Sequence, residues 1–223
     1  GIDLMRNFNI PYFSRNISEF WSRWHISLTT WFRDYIYIPL GGNREGRLRT
    51  LRNTLIVFLV SGIWHGANWT FVCWGLYHAL LIIVFFLLGV RRQPKVVAAN
   101  SVLPSVKECT QMAVTFFLVV IGWIIFRAEN MSLAYHYIVR MFTTPWTDFS
   151  AKMFIDLAVL KDALIGCAIM ILVEWIQRRK EHGLDLQQPV VGRFQQIALC
   201  YALIFLILLL GEFGENQFIY FQF

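Results

Sequence analysis

The feature that most restricts how this chain can fold is a long run of apolar residues without charge. Residues 69–90 form a 22-residue stretch that contains no Asp, Glu, Lys or Arg. About 20 apolar residues in a helix cross a hydrocarbon core that is about 30 Å thick. Residues 110–126, 157–176 and 194–211 are further candidate spans, whereas the apolar run 54–64 is too short to cross. We therefore expect an all-α membrane protein, a polytopic helical bundle that also contains short or re-entrant helices.

The charges fit a membrane protein better than a nucleic-acid-binding one. Only 15% of the residues are charged, 57% are hydrophobic and the net charge is +6, whereas an average soluble domain is about 25% charged. The basic residues cluster between the apolar runs, which the positive-inside rule explains, so no nucleic acid partner is expected. This rule places 44–52, 91–109 and 177–193 inside the cell as loops and 127–156 outside. Runs 54–64 and 69–90 then form a hairpin with His65 near its turn.

The first 53 residues predict a basic segment that lies at the membrane interface. Asn16 followed by Glu19 is a capping pattern, and it predicts a helix over residues 17–35 with an aromatic stripe that includes His25. Residues 54–223 would supply the membrane helices and loops. We expect 1–53 and 54–223 to belong to one membrane domain, 1–223.

Three histidines are candidates for chemistry because they lie in or beside apolar segments. An ionisable group at membrane depth is a functional candidate, and histidine exchanges protons near neutral pH. His65 stands between Trp64 and a glycine, with Asn68 close by as a polar partner, while His25 and His78 lie among other aromatic residues. We expect Trp64, Asn68 and His78 to contact substrate. The alternative is that each histidine is only a packed core residue, and His78 in particular could simply bridge helices.

Arginines interleaved with aromatic residues form a second candidate surface in the first 35 residues. They contact either lipid headgroups or an anionic, phosphate-bearing donor, and Arg33 with its neighbour Asp34 is a candidate substrate contact. The four cysteines are widely scattered, so no metal site is expected. No nucleophile elbow, phosphate-binding loop or zinc-protease motif is present in the sequence.

Two long stretches resemble a known family. "FNIPYFSRNISEFWSRWHISLTTWFRDYIYIPLGGN" (8–43) and "SGIWHGANWTFVCWGLYHAL" (61–80) are similar to the membrane-bound O-acyltransferases, in the branch that O-acetylates alginate. "WIIFRAEN" (123–130) and the terminal "FIYFQF" also resemble this branch. The resemblance implies an enzyme that transfers an acyl group to a hydroxyl. It assigns the family's near-invariant histidine to His65 and a second conserved histidine to His25.

The resemblance also implies a larger protein and its surroundings. Family members are about twice as long and surround a central funnel with about a dozen helices, so the chain would be the C-terminal half with an incomplete funnel. The family implies the cell (inner or plasma) membrane, a multi-pass topology and contact with membrane lipids. It implies a polysaccharide acceptor and periplasmic acetyltransferase partner proteins. No bound cofactor is expected, and acetyl-CoA or another acyl thioester would be the donor.

Three functions remain open from the sequence. The first is acetyl transfer for O-acetylation of an exported polysaccharide such as alginate, with His65 as general base and His25 positioning substrate or stabilising charge. The second keeps the family but transfers D-alanyl groups or acylates a lipid. The third is a transporter or channel subunit in which histidines relay protons.

Overall fold

Helices form all the regular structure in the part of the chain that this computed structural model describes, residues 5–90, 96–144, 151–180 and 192–211. The α-helices are α1 (Ile17–Trp21), α2 (Ile26–Phe32), α3 (Arg47–Trp64), α4 (Trp69–Leu87), α5 (Val106–Arg127), α6 (Met131–Thr143), α7 (Ala151–Gln177) and α8 (Arg193–Leu210). A short 3₁₀ turn, Pro11–Phe13, precedes α1, and a π-helical turn, Arg33–Tyr37, follows α2. The predicted all-α class is confirmed.

Two of these helices are long and apolar enough to cross a membrane. They are α4, with a mean hydropathy of 2.2, and α5, with a mean hydropathy of 2.1. Both were predicted as spans. The apolar parts of α7 and α8, residues 163–177 and 193–209, are shorter. The predicted inside and outside loops stay predictions, and the terminal "FIYFQF" lies outside the described residues.

The chain divides into two compact units, residues 1–144 and 145–223. The first contains α1 to α6, and the second contains α7 and α8. That 1–223 form one membrane domain stays a prediction. The predicted boundary at residue 53 falls inside α3, because this helix begins at Arg47. The predicted loop 44–52 is therefore helical from Arg47 onwards.

The helix predicted over residues 17–35 is interrupted. Its capping pattern is confirmed, since the Asn16 side chain accepts a hydrogen bond from the Glu19 backbone N–H at 2.8 Å. However, α1 ends at Trp21, and α2 begins only after His25, whose backbone is left-handed with φ 47°. The break is stabilised from outside the helix: the Ile26 N–H donates to the backbone oxygen of Asn7 at 2.8 Å. Helical periodicity alone does not reveal such a contact.

Glycines allow α3 and α4 to pack backbone to backbone. A Cβ atom added at Gly62 would clash with the backbone oxygen of Phe71, and one added at Gly75 would clash with that of Phe58. Small residues permit this close approach of two helices. The predicted hairpin is therefore a tightly joined pair, with residues 65–68 as its loop.

Helices α1, α4 and α5 share the buried centre of the first unit. Ile17, Phe20 and Val119 form its core. Beside it lies an ionic cluster in which Glu19 pairs with Arg15 at 2.8 Å and with Arg23 at 2.5 Å. Arg15 also reaches Glu108 in the first turn of α5 at 3.3 Å. These pairs connect the N-terminal segment to a candidate membrane helix.

Candidate active site

The loop between α3 and α4 places His65 among four aromatic rings. Its imidazole lies 4.9 Å from the Trp64 ring and 4.9 Å from the Phe126 ring, measured between centroids. Trp74 is 5.2 Å away at an interplanar angle of 89°, and Phe71 is 6.1 Å away. The three nearer rings meet the imidazole edge to face, which is a favourable arrangement for aromatic pairs.

The local sequence explains the shape of this loop. Gly66 has φ 143°, a backbone conformation that favours glycine, and a Cβ there would lie only 3.0 Å from the Phe71 ring. Two residues later, the Asn68 side chain accepts a hydrogen bond from the Thr70 N–H at 3.1 Å and so caps α4. The chain therefore turns sharply after His65 and immediately starts the next helix.

Asn68 also connects the loop to the junction of α5 and α6. Its amide nitrogen donates to the backbone oxygen of Glu129 at 3.1 Å. Phe126 is the penultimate residue of α5. Its ring packs on those of His65 and Phe71, with centroid distances of 4.9 Å and 4.8 Å. Asn68 was predicted to contact substrate, and its amide oxygen and nitrogen both bond within the protein. A role in substrate binding stays a prediction.

His25 approaches the site from the break between α1 and α2. Its ring lies 6.1 Å from that of Phe8, and its Nδ1 atom is buried without a hydrogen-bond partner among the described residues. Burial lowers the pKa of His65, and the electrostatic influence of His25 lowers this pKa further. His25 is thus close enough for its charge to affect His65, although 40 positions separate the two in sequence. A lowered pKa keeps His65 neutral at pH 7 and able to accept a proton.

His78 makes contacts that are typical of a packing residue. Its side chain is buried, and its Nδ1 accepts a hydrogen bond from Trp21 Nε1 at 3.3 Å. Its Nε2 lies against α5 at Gly122, where a Cβ would collide with the ring. The imidazole therefore joins α1, α4 and α5. Its assignment to substrate binding stays a prediction, and these contacts favour the alternative that it bridges helices.

Arg33 and Asp34 lie on the surface of the π-helical turn and pair with each other. The guanidinium donates to the two carboxylate oxygens at 2.7 and 3.2 Å. Trp64 is also exposed, with 57% of its surface accessible, although its ring touches His65. Substrate contacts by Arg33, Asp34 and Trp64 stay predictions.

The sequence interpretation missed three aromatic walls of the site. Phe71 and Trp74 follow His65 by six and nine residues. Both lie in the first two turns of α4, directly after the tight loop. Phe126 comes from a distant segment, and only its presence in "WIIFRAEN" could have drawn attention to it. Within the described ranges, no three His, Cys, Asp or Glu side chains come together as a metal site.

Comparison with known proteins finds a family model that matches the N-terminal part of the chain. Residues 1–101 match the membrane-bound O-acyltransferase family model, and these residues include His25, His65 and His78. The first 101 residues are therefore similar to the membrane-bound O-acyltransferases. It is 46% identical over 143 residues to a Pseudomonas aeruginosa protein named Probable alginate O-acetylase AlgI, a match that covers 64% of this chain and 26% of that relative.

Less similar relatives are named for other polymers. The chain is 40% identical over 140 residues to the peptidoglycan O-acetyltransferase of Helicobacter pylori, covering 60% of the chain and 24% of that protein. It is 34% identical over 139 residues to the teichoic acid D-alanyltransferase of Bacillus subtilis, covering 58% of the chain and 34% of that protein. The chain thus matches only about a quarter to a third of the length of these O-acyltransferases.

Proposed function

We propose that the protein to which this chain belongs is a membrane-bound O-acyltransferase that transfers acetyl groups for O-acetylation of an exported polysaccharide such as alginate. The observation that carries this proposal is the position of His65, which the loop between α3 and α4 holds among aromatic rings. His25 supplies a second titratable side chain, whose buried Nδ1 makes no hydrogen bond to the described residues. Both lie in the part of the chain that matches the family.

His65 is the proposed general base. The acceptor hydroxyl attacks the carbonyl carbon of an acyl thioester, a new C–O bond forms, and the C–S bond breaks. The hydroxyl proton passes to His65 and then to the departing thiolate, so the imidazole returns to its neutral form. A positioned base of this kind contributes about 10²–10⁴-fold to the rate.

His25 is the proposed second group of the reaction. With its Nδ1 buried and without a bond to the described protein, it has a nitrogen available to position the donor or acceptor. If protonated, it would instead stabilise the negative charge that develops on the carbonyl oxygen. The rings of Trp74, Phe71 and Phe126 cover part of the His65 imidazole, and by limiting the access of water they would slow hydrolysis of the thioester.

The wider setting is proposed from the family resemblance. The donor is acetyl-CoA or another acyl thioester, used as a substrate with no bound cofactor. The whole protein is a multi-pass protein of the cell (inner or plasma) membrane in contact with lipids. It acts with periplasmic acetyltransferase partner proteins that deliver the acetyl group to the polysaccharide.

The decisive test is made in cells whose own polysaccharide acyltransferase has been deleted. They express the complete protein with either the natural sequence, His65→Ala or His136→Ala, at matched membrane levels. His136 is the control because it is an exposed histidine on α6. The O-acetyl content of the exported polysaccharide should fall at least about 100-fold with His65→Ala and stay unchanged with His136→Ala. Equal acetylation by the His65→Ala protein would refute the mechanism.

The same cells distinguish the other functions. Mass analysis of the ester released from the polymer identifies acetate or D-alanine, and a D-alanyl ester would move the protein to the second function. Transport of protons or solutes without any ester product would support a transporter or channel subunit instead.

A further inference from the structure

We propose that Asn7 is a positioning residue for His25, which it holds in the active site by capping α2 in place of the histidine. This inference rests on the proposed function, because it gives His25 a role in the reaction. Asn7 belongs to no catalytic motif, and its side chain bonds to Ser27, two residues after His25, rather than to the histidine itself.

The first step of the argument concerns the start of α2. His25 occupies the N-cap position, yet its side chain makes no capping hydrogen bond. A helix start without a cap leaves backbone N–H groups without partners. Here Asn7 replaces the cap from outside the helix: its Oδ1 accepts from the Ser27 N–H at 3.2 Å and from the Ser27 hydroxyl at 2.9 Å. The His25 imidazole is therefore not needed for capping.

The second step concerns the backbone on both sides of His25. The Asn9 N–H donates to the Arg23 backbone oxygen at 2.9 Å, and the Ile26 N–H donates to the Asn7 backbone oxygen at 2.8 Å. Residues 7–9 thus bracket His25 by one bond before it and one after it. Phe8, between the two bonds, is the residue whose ring faces the imidazole.

The third step concerns strain. A histidine with φ 47° occupies the left-handed region, which non-glycine residues rarely adopt. Such a conformation persists only where surrounding interactions impose it, and it is concentrated at functional sites. The bonds from residues 7–9 are these interactions. Asn7 is the member of the bracket whose side chain also bonds to α2, so its substitution tests that bond while the backbone bonds stay in place.

The test compares Asn7→Ala, Asn7→Asp and Asn16→Ala in the complete protein, purified in detergent, with acetyl-CoA as the donor. Asn16 is a matched control, because its side chain caps α1 with a 2.8 Å bond but makes no bond to the residues around His25. The kcat per folded molecule, the KM for acetyl-CoA and the thermal unfolding temperature are measured for each variant. His65→Ala is included as the reference for the proposed function.

We expect Asn7→Ala to lower kcat by about 10- to 100-fold with little change in KM, since displacement of a reacting group by about 1 Å can cost 100-fold. Asn7→Asp keeps an acceptor oxygen at the same place and should recover most of kcat, because Asp and Asn cap equally well. Asn16→Ala should lower the unfolding temperature but leave kcat unchanged.

Two results would overturn the role of Asn7: natural kcat in the Asn7→Ala protein, or equal losses of kcat in the Asn7→Ala and Asn16→Ala proteins. If Asn7→Ala yields no folded protein, Ser27→Ala removes only the hydroxyl bond and should lower kcat in the same direction by a smaller factor. An unchanged kcat in Ser27→Ala would then contradict the proposal. Full activity of His65→Ala would instead reject the proposed function, whatever Asn7 does.

Discussion

At the scale of single residues, the two site histidines are held by different means. His65 has an ordinary helical backbone, with φ −73°, and its ring is fixed by the aromatic side chains around it. His25 has a left-handed backbone, and hydrogen bonds to residues 7 and 9 fix the chain on either side of it. Changes at His65 should therefore act mainly through its ring. Changes at His25 act through both the ring and the backbone, and these effects can be separated.

Two substitutions of His25 should separate its chemistry from its conformation. Glycine adopts φ 47° without steric cost, so His25→Gly should keep the fold while transfer falls by at least about 10-fold, because the imidazole is lost. Valine is β-branched and disfavoured in this region, so His25→Val should also lower the free energy of unfolding, by about 1–3 kcal/mol. Thermal unfolding and polysaccharide O-acetyl content measure the two effects. Natural acetylation by the His25→Gly protein would exclude His25 from the reaction.

At the scale of helices, the sequence predicts correctly the helices whose formation depends on their own composition. Helices α4 and α5 coincide closely with predicted apolar spans, because length and apolar content are local properties. The break at His25 could not be predicted, because it depends on a bracket from residues 7–9 that precede the helix. In the same way, His65 was found from its local motif. Phe126 was not, because the packing of α5 brings it to the site.

The close contact of α3 and α4 should make Gly75 intolerant of any side chain. A Cβ there would clash with the Phe58 backbone oxygen, which cannot move without shifting α3. Gly75→Ala should therefore lower the free energy of unfolding by about 1–3 kcal/mol or more, which is typical of overpacking. It should also lower acyl transfer, because the helix pair positions His65.

Gly166→Ala is the control for the loss of a helical glycine. Gly166 lies in α7, and an added Cβ would have nothing within 4 Å. This change should raise the free energy of unfolding slightly, by about 0.5–1 kcal/mol, because alanine favours a helix. Thermal unfolding in detergent measures both variants. If they behave alike, the backbone contact at Gly75 does not constrain the hairpin.

At the scale of the whole molecule, an ionic cluster joins the N-terminal segment of the first unit to its long helices. Glu19 accepts hydrogen bonds from Arg15 and Arg23, and Arg15 continues to Glu108 in α5. The Arg15 side chain is only 2% exposed, so its charge depends on these carboxylates rather than on water. The segment that carries His25 is thereby attached to α5, whose other end supplies Phe126 to the site. The sequence interpretation assigned these arginines to headgroups or an anionic donor, because a buried carboxylate partner is not visible from spacing.

Removal of the Glu19 charge should destabilise the protein more than removal of an exposed carboxylate charge. Glu19→Gln removes the carboxylate that pairs with both Arg15 and Arg23, while Arg15 keeps its longer pair with Glu108. Breaking a buried pair costs about 3–5 kcal/mol. The matched control is Glu45→Gln, since Glu45 pairs with Arg49 one helical turn away and both side chains are about half exposed. Exposed pairs contribute about 0–1 kcal/mol, so this variant should unfold almost as the natural protein does. Thermal unfolding of the two variants in the same detergent decides between these cases. Equal stability would mean that water or lipid compensates the Arg15 and Arg23 charges.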